Sequence, residues 1–268
     1  MNITAIDREI LKSLDPAALF QETLGLAPDL LQRKVLRFDG PRLLLNCTRQ
    51  WGKSTVVAAK AYHTAKYVPE SLILLLSPSL RQSSELFRKV LSIEEHDNTA
   101  LRKIEDSKLY MTLANGSRIV SLPGKEGTVR GYSGAKLVII DEASRVLNDL
   151  YYSIRPMLAV SQGSMILLST PYGKRGFFFN EWTEGGKDWE RFKVNALQCP
   201  WISTEFLEEE RRRLPERWYM QEYMCEFMEM EGQLIPYDLI QSAMTDNVEP
   251  FFKDMLDDSV RPFFEDSM

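Results

Sequence analysis

Cysteine, histidine and long apolar runs are all scarce in this chain, and each scarcity removes a class of protein. The three cysteines, Cys47, Cys199 and Cys225, stand far apart with no C-x-x-C spacing, and only His63 and His96 could join them. That pattern excludes a disulfide framework, argues against a structural zinc site and fits a reducing compartment. No apolar run is long enough to span a bilayer, and the first fifteen residues mix charges with apolar side chains rather than forming a signal-peptide core. The expectation is a soluble intracellular protein with no membrane partner. Excess positive charge is lacking too: 33 Lys and Arg face 38 Asp and Glu, a net charge of −5. Any nucleic-acid surface must therefore be a local patch on an acidic whole. Low-complexity tracts and long internal repeats are absent.

What remains is ordinary globular composition, 44% hydrophobic and 26% charged over 268 residues, enough for one large domain or a domain with a small companion. One stretch stands out, Cys47-Thr48-Arg49-Gln50-Trp51-Gly52-Lys53-Ser54-Thr55. It matches G-x-x-x-x-G-K-[ST], the phosphate-binding loop, except that Cys47 replaces the first glycine. An apolar run, Leu43-Leu44-Leu45-Asn46, precedes it, and a good helix former, residues 56–62, follows. In a strand–loop–helix context, backbone N–H groups and the helix dipole surround a phosphate. Lys53 would reach the β- and γ-phosphates, and the Ser54 hydroxyl would ligate Mg²⁺.

Before this loop, residues 4–24 read as amphipathic helix broken at Asp15-Pro16, and residues 27–36 as a proline-led helix. Gln32 in that helix offers a donor and an acceptor that match an adenine edge, or is an exposed helix glutamine. After it, residues 71–77 form a continuous apolar run, as in a strand buried on both faces, and residues 79–93 read as helix. Alternation over 109–122 around Asn115-Gly116 predicts a β-hairpin. A glycine-rich basic segment, 123–134, leads to the strand 137–140, a helix through Leu150 and Ile154, and the strand 165–169. Repeated strand–helix units with unbroken apolar strands predict a parallel, doubly wound α/β sheet. Residues 191–196 offer one more strand, 203–230 are helical and heavily charged, and 246–268 form an acidic tail with two Pro-Phe-Phe repeats.

The strand at 137–140 ends in Asp141 and Glu142. Adjacent residues at a strand's end point to different sides, so the two acids can divide the work. Asp141 would hold Mg²⁺ through its water shell, and Glu142 would orient and polarise the water attacking the γ-phosphate. Arg49, inside the loop, could contact the γ-phosphate or sense its loss. Arg130, eleven residues before Asp141, could reach a neighbouring subunit or be a surface arginine. Ser169 and Thr170, where the next strand ends, are either γ-phosphate sensors or a plain turn. Arg211-Arg212-Arg213 reads as a solvated helix face, and the basic residues near Arg118, Lys125, Arg130 and Lys136 form the better nucleic-acid patch.

Together the loop, Val138-Ile139-Ile140-Asp141-Glu142-Ala143, Leu168-Ser169-Thr170-Pro171 with Gly173 and Gly176, and Gln221-Glu222-Tyr223-Met224-Cys225-Glu226-Phe227 resemble one family. It is the ATPase domain of the large terminase subunit of tailed bacteriophages, the motor that packages DNA into procapsids. The Arg-Gln-x-Gly-Lys-Ser form of the loop is fairly specific to terminases, and the resemblance covers residues 32–236. It implies an α/β P-loop ATPase of the ASCE type, with a mostly parallel central sheet flanked by helices and a small C-terminal lid. The implied layout is a core with an N-terminal helical segment at 1–176, the lid at 177–236 and an acidic tail at 237–268.

The resemblance further implies ATP and Mg²⁺ as cofactors, with Thr48, Arg49, Gln50, Trp51, Gly52, Lys53, Ser54 and Thr55 around the phosphates and Ser54 and Asp141 on the metal. Gln32 is similar to the adenine-contacting glutamine, Asp141 and Glu142 to the Walker B pair, and Ser169, Thr170 and Pro171 to the coupling motif. Arg130 is placed like the arginine finger that one subunit lends the next. Implied partners are double-stranded DNA, a portal protein, a small terminase subunit and further copies in a pentameric ring, in the cytoplasm of the infected bacterial host. Full-length large terminases add an RNase H-like nuclease; the roughly thirty residues after Pro236 are too few for one, so DNA cleavage is not expected. Two other readings share these motifs: a helicase-like nucleic-acid ATPase, for which a second recA-like domain lacks room, and a nucleotide-gated assembly module with little turnover alone.

Overall fold

The computed structural model describes residues 4–124, 126–129, 131–229 and 237–244. Two short helices open it, α1 (Ala5–Leu14) and α2 (Pro16–Leu24). Asp15 ends the first and caps the second, accepting from Ala17 N, as the Asp15-Pro16 pair predicted. Helix α3 (Leu30–Arg37) begins later than its proline suggested, because Asp29 is its N-cap. There Asp29 Oδ1 accepts from Gln32 N at 2.8 Å and Gln32 Oε1 accepts from Asp29 N at 3.0 Å, a reciprocal capping box.

The chain then alternates strand and helix: β1 (Arg42–Cys47), α4 (Lys53–Tyr67), β2 (Leu72–Ser77) and α5 (Leu80–Glu95). A meander comes next, β3 (Lys103–Asp106), β4 (Tyr110–Leu113) and β5 (Arg118–Pro123), then the short α6 (Glu126–Val129). The series ends with β6 (Leu137–Asp141), α7 (Asn148–Ile154), β7 (Ser164–Ser169), α8 (Gly176–Thr183) and β8 (Glu190–Val194). The strands form one eight-stranded sheet in the order β3-β4-β5-β2-β6-β7-β1-β8. From β5 to β8 every pairing is parallel; only β3-β4 and β4-β5 are antiparallel. The α/β fold class is as expected, and the β4–β5 hairpin turns at Asn115-Gly116, with Gly116 at φ 82°. Strand β3 was not foreseen: Lys-Ile-Glu-Asp carries one apolar side chain and sits at the sheet's exposed edge.

Period-two alternation sorts the central strands into two layers. Leu43, Leu45 and Cys47 of β1, Ile139 of β6 and Ile166 and Leu168 of β7 pack with α2, α3, α4 and α5. Leu44, Val138, Ile140, Met165 and Leu167 pack on the other side with α7 and α8, including Phe177 and Phe178. The aromatic run at 177–179 is therefore core.

On the α4 side a charged cluster is buried behind the sheet. Asp97 Oδ1 accepts from Lys12 Nζ at 2.8 Å, its Oδ2 accepts from Lys66 Nζ at 2.6 Å and from Tyr62 OH at 3.0 Å. Glu9 pairs with both lysines at 2.8 Å. The cluster ties α1 to the far end of α4.

Strand β8 pairs with β1, so the sheet continues past residue 176, and one compact unit runs to Met228. The charged stretch read as helical holds two helices, α9 (Thr204–Arg213) and α10 (Glu216–Glu222), with Pro215 between them. A second unit, 229–268, contributes α11 (Tyr237–Ala243); most of the expected tail, 246–268, lies outside the described residues. Among the described residues no helix is long and apolar enough to cross a membrane.

Candidate functional site

The loop expected to bind phosphate runs from the end of β1 to the first turn of α4. Cys47 is still a strand residue, fully buried, and is not among the positive-φ positions. A cysteine at the first-glycine position therefore imposes no left-handed strain; burial raises its thiol pKa well above the usual range, so it is an inert packing group. The loop's left-handed positions are Gln50, at φ 68°, and Gly52, at φ 90°. A Cβ on Gly52 would also stand 3.3 Å from Gln32 Nε2, so glycine fits there on both counts.

The side chains of the loop divide into anchors and site groups. Trp51 is fully buried, its Nε1 donating to Asp29 Oδ2 at 3.1 Å. Gln32 Nε2 donates to Trp51 O at 2.9 Å, so both ends of this amide are engaged within the protein and only 7% of the residue is exposed. Thr48 donates through its hydroxyl to Glu222 O at 2.9 Å, and Arg49 pairs with the Glu222 carboxylate at 2.8 Å. Lys53, Ser54 and Thr55 line the cleft beside the loop.

Strand parity aims Asp141. It follows Leu137 and Ile139 on the α4 side of the sheet, and Ser54 Oγ donates to its Oδ2 at 3.0 Å. Glu142 then leaves the strand in a left-handed conformation, φ 52° and ψ 42°, with its N–H donating to Asp141 Oδ1 at 2.9 Å. A non-glycine residue there costs about 1–2 kcal/mol, and that turn brings the carboxylate within 3.8 Å of Lys53 Nζ. Burial raises the pKa of both acids against the opposing pull of Lys53. A hydroxyl beside a buried carboxylate is a hard-oxygen donor set of the kind Mg²⁺ takes, its other positions going to phosphate and water. Among the described residues no cluster of three or more His, Cys, Asp or Glu could hold a metal by side chains alone.

Ser169 and Thr170 are buried at the end of β7, and the Ser169 hydroxyl lies 3.5 Å from Glu142 Oε2. Sequence reading missed Ser144, which joins them: its Oγ is 2.7 Å from Ser169 Oγ and donates to Thr170 O at 2.9 Å. It also missed Gln82 and Lys89 of α5, which with Arg145 line the same cleft of about 630 Å³. Desolvation lowers the Lys89 pKa, with Asp141 pulling the other way. The guanidiniums of Arg145 and Arg175 lie over the Tyr172 ring, 4.1 and 5.6 Å from its centre. Arg130 lies outside the described residues.

Residues 44–242 match the family described as Terminase large subunit, T4likevirus-type, N-terminal. The terminase large subunit of Thermus phage G20c is 26% identical over 253 residues, covering 81% of this chain and 52% of its own. The chain thus spans about half the length of the curated relatives it matches. The large terminase ATPase domain of Thermus phage P74-26 superposes with a TM-score of 0.71 at 22% identity, over 80% of this chain and all of that one. The large terminase of a thermophilic bacteriophage in complex with ATP-gamma-S gives 0.60 at 13% identity, over 74% of this chain and 52% of that one. Loop, paired acids and sheet order thus stand with a family match over most of the sequence, and the chain belongs to the terminase large-subunit family.

Proposed function

We propose that this chain hydrolyses ATP with Mg²⁺ and couples the reaction to moving double-stranded DNA into a procapsid. The observation that carries the reading is the Ser54–Asp141 contact at 3.0 Å with Glu142 turned toward Lys53 beside it. Phosphate ligand, metal ligands and water-orienting acid meet in one cleft.

In this reading the backbone of residues 48–53 and the first turn of α4 cradle the phosphates, and Lys53 holds the β- and γ-phosphates. Ser54 and Asp141 hold Mg²⁺, which when bound supplies charge neutralisation on the phosphates. Glu142, its pKa already raised, accepts a hydrogen bond from the attacking water and orients it in line. Arg49 sits where a γ-phosphate competes with Glu222 for its guanidinium, which gives the segment after β8, within the proposed 177–236 lid, a way to feel nucleotide state. Ser169 and Thr170 carry the same information through Glu142. Arg130 is proposed as the finger lent to the next subunit of a ring, a pentamer on a portal, with the small subunit and DNA as further partners in the infected host's cytoplasm.

The test is steady-state ATP hydrolysis across protein concentration, with and without double-stranded DNA, Glu142→Ala serving as blank. A rate that disappears in the blank and climbs with concentration or DNA supports a ring-forming motor. Turnover that persists in the blank sinks the assignment of Glu142. A fast rate independent of concentration and untouched by Arg130→Ala removes the trans finger.

A further inference from the structure

We propose that helix α5 supplies a further cation for the terminal phosphate. Lys89, with the Gln82 amide beside it, binds the γ-phosphate from the side away from the loop and so lets the protein tell a triphosphate from a diphosphate. This rests on the nucleotide reading above.

Sheet order sets the direction. Away from the loop the strands run β1, β7, β6, β2. The loop after β1 takes the inner phosphates, Glu142 after β6 marks the reacting one, and β2, next beyond, feeds α5. Helix α5 therefore meets a bound triphosphate at its terminal end. It buries Leu86, Phe87, Val90 and Ile93 in the core it shares with α4. Gln82 and Lys89, two turns apart, share the flank of α5 that lines the cleft with Lys53, Ser54 and Glu142. Helical side chains lean toward the N-terminus of their own helix, which carries the Lys89 ammonium back toward Gln82.

Both side chains have donors free. Ser79 caps α5 by accepting from Gln82 N at 3.3 Å, and its hydroxyl donates to Gln82 Oε1 at 2.8 Å. The amide is thereby oriented, and its Nε2 has no partner among the described residues. Glu85, one turn before Lys89, is held by Arg88 at 2.5 Å, and Lys89 itself makes no ion pair among the described residues. An unpaired exposed lysine is ordinary on a surface. Lys89 differs in opening onto a cleft, near enough to Asp141 and Lys53 for their charges to act on it while touching neither. An ammonium so placed is left for a third group, and a compact point charge suits a phosphate oxygen. A diphosphate ends short of α5, so the contact exists only with a triphosphate.

The experiment compares equilibrium affinities of the full chain for the Mg²⁺ complexes of ADP and of AMP-PNP, a triphosphate whose β–γ bridge resists hydrolysis. Lys89→Ala should weaken AMP-PNP by about 10- to 100-fold with ADP held within about twofold, and Lys89→Arg should recover most of the loss. Gln82→Ala should weaken AMP-PNP by about 2- to 10-fold, and Gln82→Glu by more, because a carboxylate there faces the phosphate. Arg88→Ala removes the same charge from the preceding residue, off the cleft, and should change neither affinity. Retained ADP binding also shows that each variant is folded with an intact loop. An AMP-PNP to ADP ratio that stays at the wild-type value in Lys89→Ala overturns the proposal. So do equal losses for both nucleotides, or an Arg88→Ala loss as large as that of Lys89→Ala. Failure of wild-type protein to bind either nucleotide overturns the nucleotide reading itself, and this inference with it.

Discussion

At the first turn of α4, Lys53 faces two carboxylates, Asp141 and Glu142, whose pKa values are raised. In its last turns Lys66, joined by Lys12, faces two carboxylates as well, yet Asp97 is lowered and Glu9 comes down to about 2. Burial pushes all four acids upward; the difference is what opposes it. Glu9 and Asp97 accept from two ammonium groups and from Thr99, with Tyr67 on Glu9 and Tyr62 on Asp97. Asp141 and Glu142 have one ion-pair contact between them, Lys53 with Glu142 at 3.8 Å, and few hydrogen-bond donors; Lys89, Arg49 and Arg145 act on them only from farther off. One end of the helix is charge-balanced and closed, as a structural cluster must be. The other has cations around it, Lys89, Arg49 and Arg145, but few donors in direct contact with its two acids, which leaves those oxygens available to a ligand.

The comparison can be broken most sharply at Glu142. Glu142→Gln should lower the hydrolysis rate by about 10²–10⁴-fold, read by steady-state assay, with ATP binding retained. A loss below tenfold would falsify its catalytic role. Next comes stability. Asp97→Asn leaves two buried ammonium groups undercompensated and should cost about 3–5 kcal/mol in denaturant titration. Asp141→Asn should leave the midpoint unchanged or higher, since burial already favours the neutral form there. Equal losses in both variants would erase the distinction between the two ends.

Ligand addition should sharpen it. Mg·ATP at about a hundred times its Kd should stabilise the fold by about 2.7 kcal/mol, seen as a thermal shift. The shift should shrink with EDTA or in Ser54→Ala, while the cluster behind α4 responds to neither. Acid gives the smallest effect, and it acts at the closed end. Burial lowers the His63 pKa to about 4 from its usual 6.5, so the folded state binds that proton more weakly than the unfolded chain. Stability should fall as pH drops from 6.5 toward 4, and His63→Gln should flatten that part of a melting-temperature profile. Glu9 contributes above its ordinary pKa of 4.5, and that contribution is lost as pH falls through about 2.

Contiguous features were the legible ones. The phosphate loop, the Asp141–Glu142 pair and the Asn115-Gly116 turn each lie within a few residues, so spacing alone displayed them. Sheet parity then explains why Asp141 meets Ser54, something that the alternation Leu137, Ile139, Asp141 already encoded. That Lys89, Glu222 and Trp201 meet the loop was not legible, because only strand order brings them there. Lys89 rides on the helix after β2, and Glu222 and Trp201 arrive after β8. Gln32 supports two readings for a local reason: its amide matches an adenine edge, and it equally matches a capping box on Asp29. Trp51, inside the loop pattern, gave no sign that its ring would turn into the core.

Ser144 has one hydroxyl proton and two acceptors within reach, Thr170 O and Ser169 Oγ. While Ser144 donates to Thr170 O, the short contact to Ser169 requires Ser169 to donate back, which turns lone pairs toward Glu142. If Glu142 draws the Ser169 proton to itself, Ser144 must donate to Ser169 and release Thr170 O. Two hydroxyls between two acceptors thus form a chain whose polarity reverses as a whole, like a row of tumblers in a lock. The peptide at Thr170 can register what happens at the Glu142 carboxylate without any helix having to move first.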